Sequence, residues 1–248
     1  MTTKILNKVI LRSFFLQGTW NFERMQNLGF CFSILPALKN IYAGEEDLKN
    51  SVKRHLEFFN THPYMASPIL GAVARMEEDV KKKTLSGNDV KSFKTGIMGA
   101  YGAMGDNFFW GSLRPLAAVI SVCLAVFDQI SAPFVFLLIY NIPHLKTRIF
   151  GLYTGYREGV NIFEVIKTFN YTGLSRKIKI ITSFFAGLLL AVITVLKVDN
   201  SLTGGSFFEG IVALCFFYIL FMTYKKLSSI TLLVYASFTV CVGSAFFI

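Results

Sequence analysis

Asn60, Thr61 and His62 set an amide, a hydroxyl and an imidazole side by side, with Phe58, Phe59 and Tyr64 around them and Pro63 closing the run. Donors and acceptors held between aromatic rings suit a hydroxyl-rich ligand in a mostly dry pocket. The polar groups would bond its hydroxyls and the rings would stack on its apolar face. The competing assignment is a helix-ending turn in which Asn60 and Thr61 serve the chain's own backbone. Asp106 follows Gly99, Gly102 and Gly105 in what reads as a glycine-rich turn at the mouth of an apolar segment. An ionisable group at membrane depth is costly, so it needs a reason: ligand coordination, pairing with Arg114, or capping a helix that starts near Asn107. Glu77 and Glu78 are adjacent, point in different directions on a helix, and are no matched acid–base pair. Surface charge is the leading reading of both, with Glu78 kept as a ligand-binding candidate. Trp20, Asn21, Glu23 and Arg24 combine aromatic bulk with an ion pair and suit packing against a partner chain.

Several chemistries are disfavoured. The four cysteines, Cys31, Cys123, Cys215 and Cys241, are far apart in apolar contexts, without the Cys/His spacing of a metal site. The glycine run is followed by no Gly-Lys-Ser/Thr and preceded by no strand, so it is no nucleotide loop. No catalytic constellation, metal site or cofactor site is expected. A net charge of +10 raises nucleic acid as a partner. Here, though, the basic groups flank apolar runs, as in Arg176-Lys177-Ile178-Lys179 and Lys225-Lys226, and that pattern marks the cytoplasmic side of membrane spans.

The elements that must position these residues are helical and partly embedded in lipid. The chain is 53% hydrophobic with 26 phenylalanines, and from Ile180 to Ile248 only Lys197, Asp199, Glu209, Lys225 and Lys226 are charged. So little polar surface cannot cover stretches that apolar in water. The expected class is all-α, a polytopic membrane protein in four parts. Residues 1–95 form an amphipathic, helical, cytoplasmic-side portion. Residues 96–145 hold the glycine-rich turn, a span over Asn107–Phe127, and a shorter proline-containing run over Ile130–Leu145, re-entrant or half of a hairpin. Residues 146–179 form a basic amphipathic segment. Residues 180–248 carry three spans, Ile180–Leu196, Phe207–Tyr224 and Ser229–Ile248.

Within the first part, Lys4, Lys8 and Arg12 line one face of an amphipathic helix over residues 1–16, suited to an anionic inner leaflet or to packing on the protein. A helix over Ser13–Leu38 should break or end near Pro36. Acids at Glu45-Glu46-Asp47 open the next helix, whose apolar positions run to Phe59 and which must stop before Pro63. Met65 to Val80 follows as a further helical segment. The charge bias puts the N-terminus inside and the C-terminus outside.

Three runs together carry a resemblance: Trp20-Asn21-Phe22-Glu23-Arg24-Met25-Gln26-Asn27-Leu28-Gly29-Phe30, His55-Leu56-Glu57-Phe58-Phe59-Asn60-Thr61-His62-Pro63, and Gly105-Asp106-Asn107-Phe108-Phe109-Trp110. In this order they resemble the IID subunit of the mannose-type sugar phosphotransferase permeases, continuously from about Gln17 to Arg114 and more loosely beyond. The resemblance implies a bacterial inner-membrane subunit paired with a IIC subunit of related fold and opposite orientation, assembled as an oligomer of IIC–IID units. It implies a hexose held in an occluded site and moved by alternating access, then phosphorylated by IIB. Because the phosphoryl group would travel on the soluble IIA and IIB partners, none is assigned to His62. Many relatives carry a long extracytoplasmic insertion between late spans, where only Lys197 to Ser206 is available here. A structural or receptor protein of the same fold, or a membrane-embedded enzyme, are the alternative classes.

Overall fold

Local signals account for only some of the helix limits in the first half of the chain. In the computed structural model, which describes residues 1–200 except for the side chains of residues 190, 191 and 193–200, α1 (Thr3–Ser13) turns Leu6, Val9 and Ile10 inward and leaves Lys4 and Lys8 exposed. It therefore packs its apolar face on the protein, chiefly against α2 (Asn27–Ile41). Glu45, Glu46 and Asp47 open α3 (Glu45–His55), and Lys53, Arg54 and His55 close it, matching the helix dipole at both ends. α4 (Ala66–Lys81) is buried along most of its length. A capping box starts α5 (Gly87–Gly105): the Asp89 N–H donates to Ser86 Oγ at 3.3 Å and the Ser86 N–H to Asp89 Oδ2 at 2.7 Å.

The backbone then runs on without a break through a π-helical segment, Asp106–Leu113, into α6 (Arg114–Val126). α7 (Ala132–Glu158), a short α8 (Ile162–Thr168) and α9 (Tyr171–Asn200) complete the described residues, among which the only strand-like features are isolated bridges. Residues 1–186 form one unit and a second begins at Gly187. The spans read over Phe207–Tyr224 and Ser229–Ile248 lie outside the described residues.

Four local expectations are corrected. Pro36 does not end α2, which continues to Ile41. The carbonyl left without its donor by that proline is Phe32's, and Arg12 Nη1 donates to it at 3.3 Å. The glycine run is helix rather than turn, with Gly99, Gly102 and Gly105 all inside α5. Ile130–Leu145 is not a separate short run, because α7 carries it through Pro143 to Glu158. Finally, α3 stops at His55 rather than near Thr61, since the backbone at Phe59 is taken up by another partner: the Gln26 N–H donates to the Phe59 carbonyl at 2.9 Å.

α4 and α7 make the most extensive helix pair. They approach closely because small residues meet: a methyl at Gly155 would lie 2.1 Å from the Pro68 carbonyl oxygen, and one at Gly71 would lie 2.0 Å from that of Leu152. The 40-residue helical run Gly87–Val126 is the one described helix long and apolar enough to cross a membrane, and 28% of its most apolar window is buried within the chain. Its remaining surface needs an apolar surrounding.

Candidate functional site

The three separated runs meet at one loop, residues 56–65. The first run forms its buttress. Asn21 and Met25 exchange backbone hydrogen bonds of 3.0 Å each, closing a tight turn in which Met25 sits at φ 58°, a conformation that costs a side-chain-bearing residue about 1 kcal/mol or more. Asn21 Nδ2 then donates to Asn27 Oδ1 at 2.8 Å, and Asn27 Nδ2 to the Leu56 carbonyl at 2.7 Å.

Gln26, 2% exposed, grips Thr61 from both sides: its Nε2 donates to the Thr61 carbonyl at 2.8 Å and its Oε1 accepts from the Thr61 N–H at 3.1 Å. Removing this amide in Gln26→Ala leaves two buried backbone groups without partners. We expect a loss on the order of 1–3 kcal/mol, read as a lower thermal midpoint with new protease cleavage within residues 56–65. An unchanged midpoint and cleavage pattern would refute the clamp.

The third run forms the floor. Gly105 lies under His62 so closely that a Cβ there would fall 2.4 Å from the His62 Cβ and Cγ. Phe109 stacks on the His62 ring at 5.2 Å and 16°, while Trp110 and Tyr64 close on it at 4.6 and 4.8 Å. The ring is 2% exposed. Burial first, then the neighbouring Arg148 and His144, push its pKa down to about 3, so it is neutral at pH 7. The Tyr64 N–H donates to Nδ1 at 3.3 Å, which leaves the ring proton on Nε2. That Nε2 and the Thr61 hydroxyl are buried without a hydrogen-bond partner among the described residues. Asn60, next to them, is exposed.

Behind the loop, α7 supplies a second polar cluster. His144 stacks on Tyr64 at 4.3 Å and bonds Asn141 Oδ1 at 2.8 Å, and the Tyr64 and Tyr140 hydroxyls lie 3.1 Å apart. Arg148, 5% exposed, donates to the Ser13 carbonyl at 2.8 Å and lies over the rings of Phe14 and Tyr64 at 4.7 and 5.2 Å. No carboxylate pairs with it among the described residues; carbonyl and ring contacts replace one.

The other sequence candidates fall elsewhere or in other roles. Asp106 is no N-cap, because the residues before and after it are helical; it is exposed on the π-helical segment and makes no ion pair with Arg114. Glu78 lies at the junction of α4 and α7, accepting from the Tyr156 hydroxyl at 2.8 and 2.9 Å and pairing with the Met1 ammonium at 3.0 Å. Glu77 is not surface charge at all but fully buried, and it binds four donors. Arg54 donates at 2.7 and 2.9 Å, His55 lies 2.8 Å away, and the Tyr42 hydroxyl donates at 2.7 Å. Trp20 and Phe22 are exposed at 51% and 87%, and the Glu23–Arg24 pair at 3.2 Å is between neighbours at the surface. Gln26, His144 and Arg148 were missed because their partners lie 35, 80 and 135 residues away in sequence.

The family described as PTS system mannose/fructose/sorbose family IID component matches residues 1–248. The chain is 40% identical over 164 residues to the PTS system mannose-specific EIID component of Escherichia coli (strain K12), covering 65% of this chain and 58% of that protein. It is 34% identical over 199 residues to the fructose permease IID component of Bacillus subtilis (strain 168), covering 80% and 72%. Among solved structures it is similar to a chain in the complex of the mannose transporter ManYZ with microcin E492 (MceA). The TM-score is 0.63 and the identity 27%, over 99% of this chain and 96% of that one.

Proposed function

This chain belongs to the mannose/fructose/sorbose family of PTS IID components, and from that membership we propose that it is the subunit of a permease that holds a hexose at the Asn60–Thr61–His62 turn. The observation that carries the reading is a pair of buried polar atoms, His62 Nε2 and Thr61 Oγ1, without partners among the described residues and beside an exposed amide. A buried donor without a partner costs about 1–3 kcal/mol, a cost that a ligand hydroxyl removes. Tyr64 and Trp110, both partly exposed, add the aromatic faces that a sugar ring stacks on. Asn60 and Asp106 complete the proposed contacts from the exposed side, and Glu78, bonded to Tyr156 and the Met1 ammonium, stays a candidate.

In this reading a IIC subunit covers the exposed aromatic and polar face, with Trp20, Asn21, Glu23, Arg24 and Arg114 toward it. Repeated IIC–IID units form the membrane complex. The sugar is occluded between the two chains, carried across the bacterial inner membrane, and phosphorylated by IIB, which receives its phosphoryl group from IIA. The N-terminus lies inside and the C-terminus outside. No chemistry is assigned to this chain beyond binding and positioning.

Uptake by cells carrying the complete system tests the site. Asn60→Ala and His62→Ala each remove one neutral hydrogen bond, about 0.5–1.5 kcal/mol, so uptake affinity should fall roughly 2- to 13-fold while the IIC partner still copurifies. In Asp106→Asn the amide keeps an acceptor but loses the charge, a loss of about 1 kcal/mol or roughly fivefold. Near-normal uptake in both Asn60→Ala and His62→Ala would move the sugar away from this turn, and near-normal uptake in Asp106→Asn would remove Asp106 from it.

A further inference from the structure

A second polar site lies on the first turns of α9, apart from the loop at His62. A cavity of about 390 Å³ is lined by Thr172, Ser175, Arg176, Lys179 and Ser183 of α9 and by Asn107 of the π-helical segment. Its lining holds two cations and no carboxylate. Ser175, one of the lining residues, is 1% exposed, and its hydroxyl has no hydrogen-bond partner among the described residues. Lys179 Nζ reaches across the opening to Asn107 Oδ1 at 2.7 Å.

We propose that this cavity binds the phosphate of an anionic membrane lipid. Two cations with the Thr172 and Ser175 side chains around one space suit a phosphate oxygen set, since charge-assisted bonds of this kind are short and strong. A lipid phosphodiester is favoured over a free phosphate because of what adjoins the polar end. Ile180, from which the apolar part of α9 continues, also lines this cavity. On the adjacent face of the same turns an apolar groove of about 210 Å³ is lined by Phe108, Phe150, Ile166, Phe169 and Leu174, wide enough for part of an acyl chain. Basic pockets beside membrane helices recognise lipid headgroups in this way. The Lys179–Asn107 bond ties the lipid site to the π-helical segment whose Phe109 and Trp110 pack on His62.

The test is a thermal-shift titration of the intact, delipidated membrane complex in detergent with phosphatidylglycerol, phosphatidylcholine and inorganic phosphate as separate probes. Phosphatidylglycerol should stabilise the complex saturably, with phosphatidylcholine and inorganic phosphate at least tenfold weaker. The double substitution Arg176→Gln and Lys179→Gln should weaken the phosphatidylglycerol response more than tenfold, and Ser175→Ala, which changes only one small group, several-fold. Lys177→Gln, at a neighbouring exposed cation outside the cavity lining, should leave it unchanged. Equal protection by phosphatidylcholine, or an equal loss in Lys177→Gln, would overturn the site. Protection by inorganic phosphate equal to that by phosphatidylglycerol would overturn the lipid assignment in favour of a free anion.

Discussion

Glu77→Ala should leave little folded protein. The substitution strips the common partner from Arg54, His55 and Tyr42 at a position that is fully buried, and removing one member of a buried ion pair costs about 3–5 kcal/mol. Against a usual total of about 5–15 kcal/mol that is roughly a fifth or more of the stability. The expected result is a collapse in yield from the membrane and, for what survives, a much lower thermal midpoint. Glu78→Ala one residue on, at a partly exposed carboxylate, should be far milder. Equal effects of the two would refute the assignment of Glu77 as the hub.

The same network predicts an acid limit. Burial alone would raise the Glu77 pKa, but the bonds from His55 and Arg54 and then Tyr42 outweigh it and hold the carboxyl at about 2, below its ordinary 4.5. A carboxyl depressed in the folded state contributes its stability in full above about pH 4.5, and that contribution is lost as the pH falls from there toward 2. The thermal midpoint of the wild-type complex should fall over this window, and Glu77→Gln should lose that part of the dependence.

Gly105→Ala should reduce uptake roughly 5- to 160-fold, as the cost of overpacking implies. The added methyl would lie 2.4 Å from two carbons of His62 and 2.8 Å from Nδ1, where carbon contacts normally sit near 3.5–4 Å. The ring has no easy retreat, because Phe109, Trp110 and Tyr64 already close on it. Overpacking of this kind costs about 1–3 kcal/mol and displaces both the ring and the loop that carries Thr61. Gly102→Ala is the control: its methyl would meet the Thr61 Cα at an ordinary 3.7 Å and should be tolerated. The double variant Gly105→Ala with His62→Gly should take up sugar better than Gly105→Ala alone, since the Cβ, Cγ and Nδ1 that the methyl meets are then all gone. Equal uptake by Gly105→Ala and Gly102→Ala would show that the close approach does not matter.

Much of the frame was legible before any coordinates. Helical periodicity and the acids opening α3 are local, and each was read from neighbouring residues, whereas the stop read near Thr61 ahead of Pro63 falls too late, because α3 ends at His55. The order of the three runs identified the family, which the match over residues 1–248 bears out. Local rules failed where a distant group took over a local need. Pro36 should break α2, yet Arg12 from another helix accepts the role of donor to the stranded Phe32 carbonyl. Gly99, Gly102 and Gly105 read as a turn, but all three lie inside α5, and at Gly105 the missing side chain lets His62 sit against the helix. Glu77 looked like surface charge because its donors come from α3 and from Tyr42, 22 to 35 residues earlier.

By itself, then, the sequence determined helical class, membrane character, family and the polar turn at residues 60–62, because those depend on composition, period and spacing along the chain. Only the tertiary structure decided that Gln26 clamps Thr61, that Gly105 makes room for His62 and that Arg148 is buried over the ring of Tyr64. Those facts depend on which donor meets which acceptor across 35 to 135 residues of chain, and a buried polar group is satisfied by whatever packing brings near it, not by its neighbours in sequence.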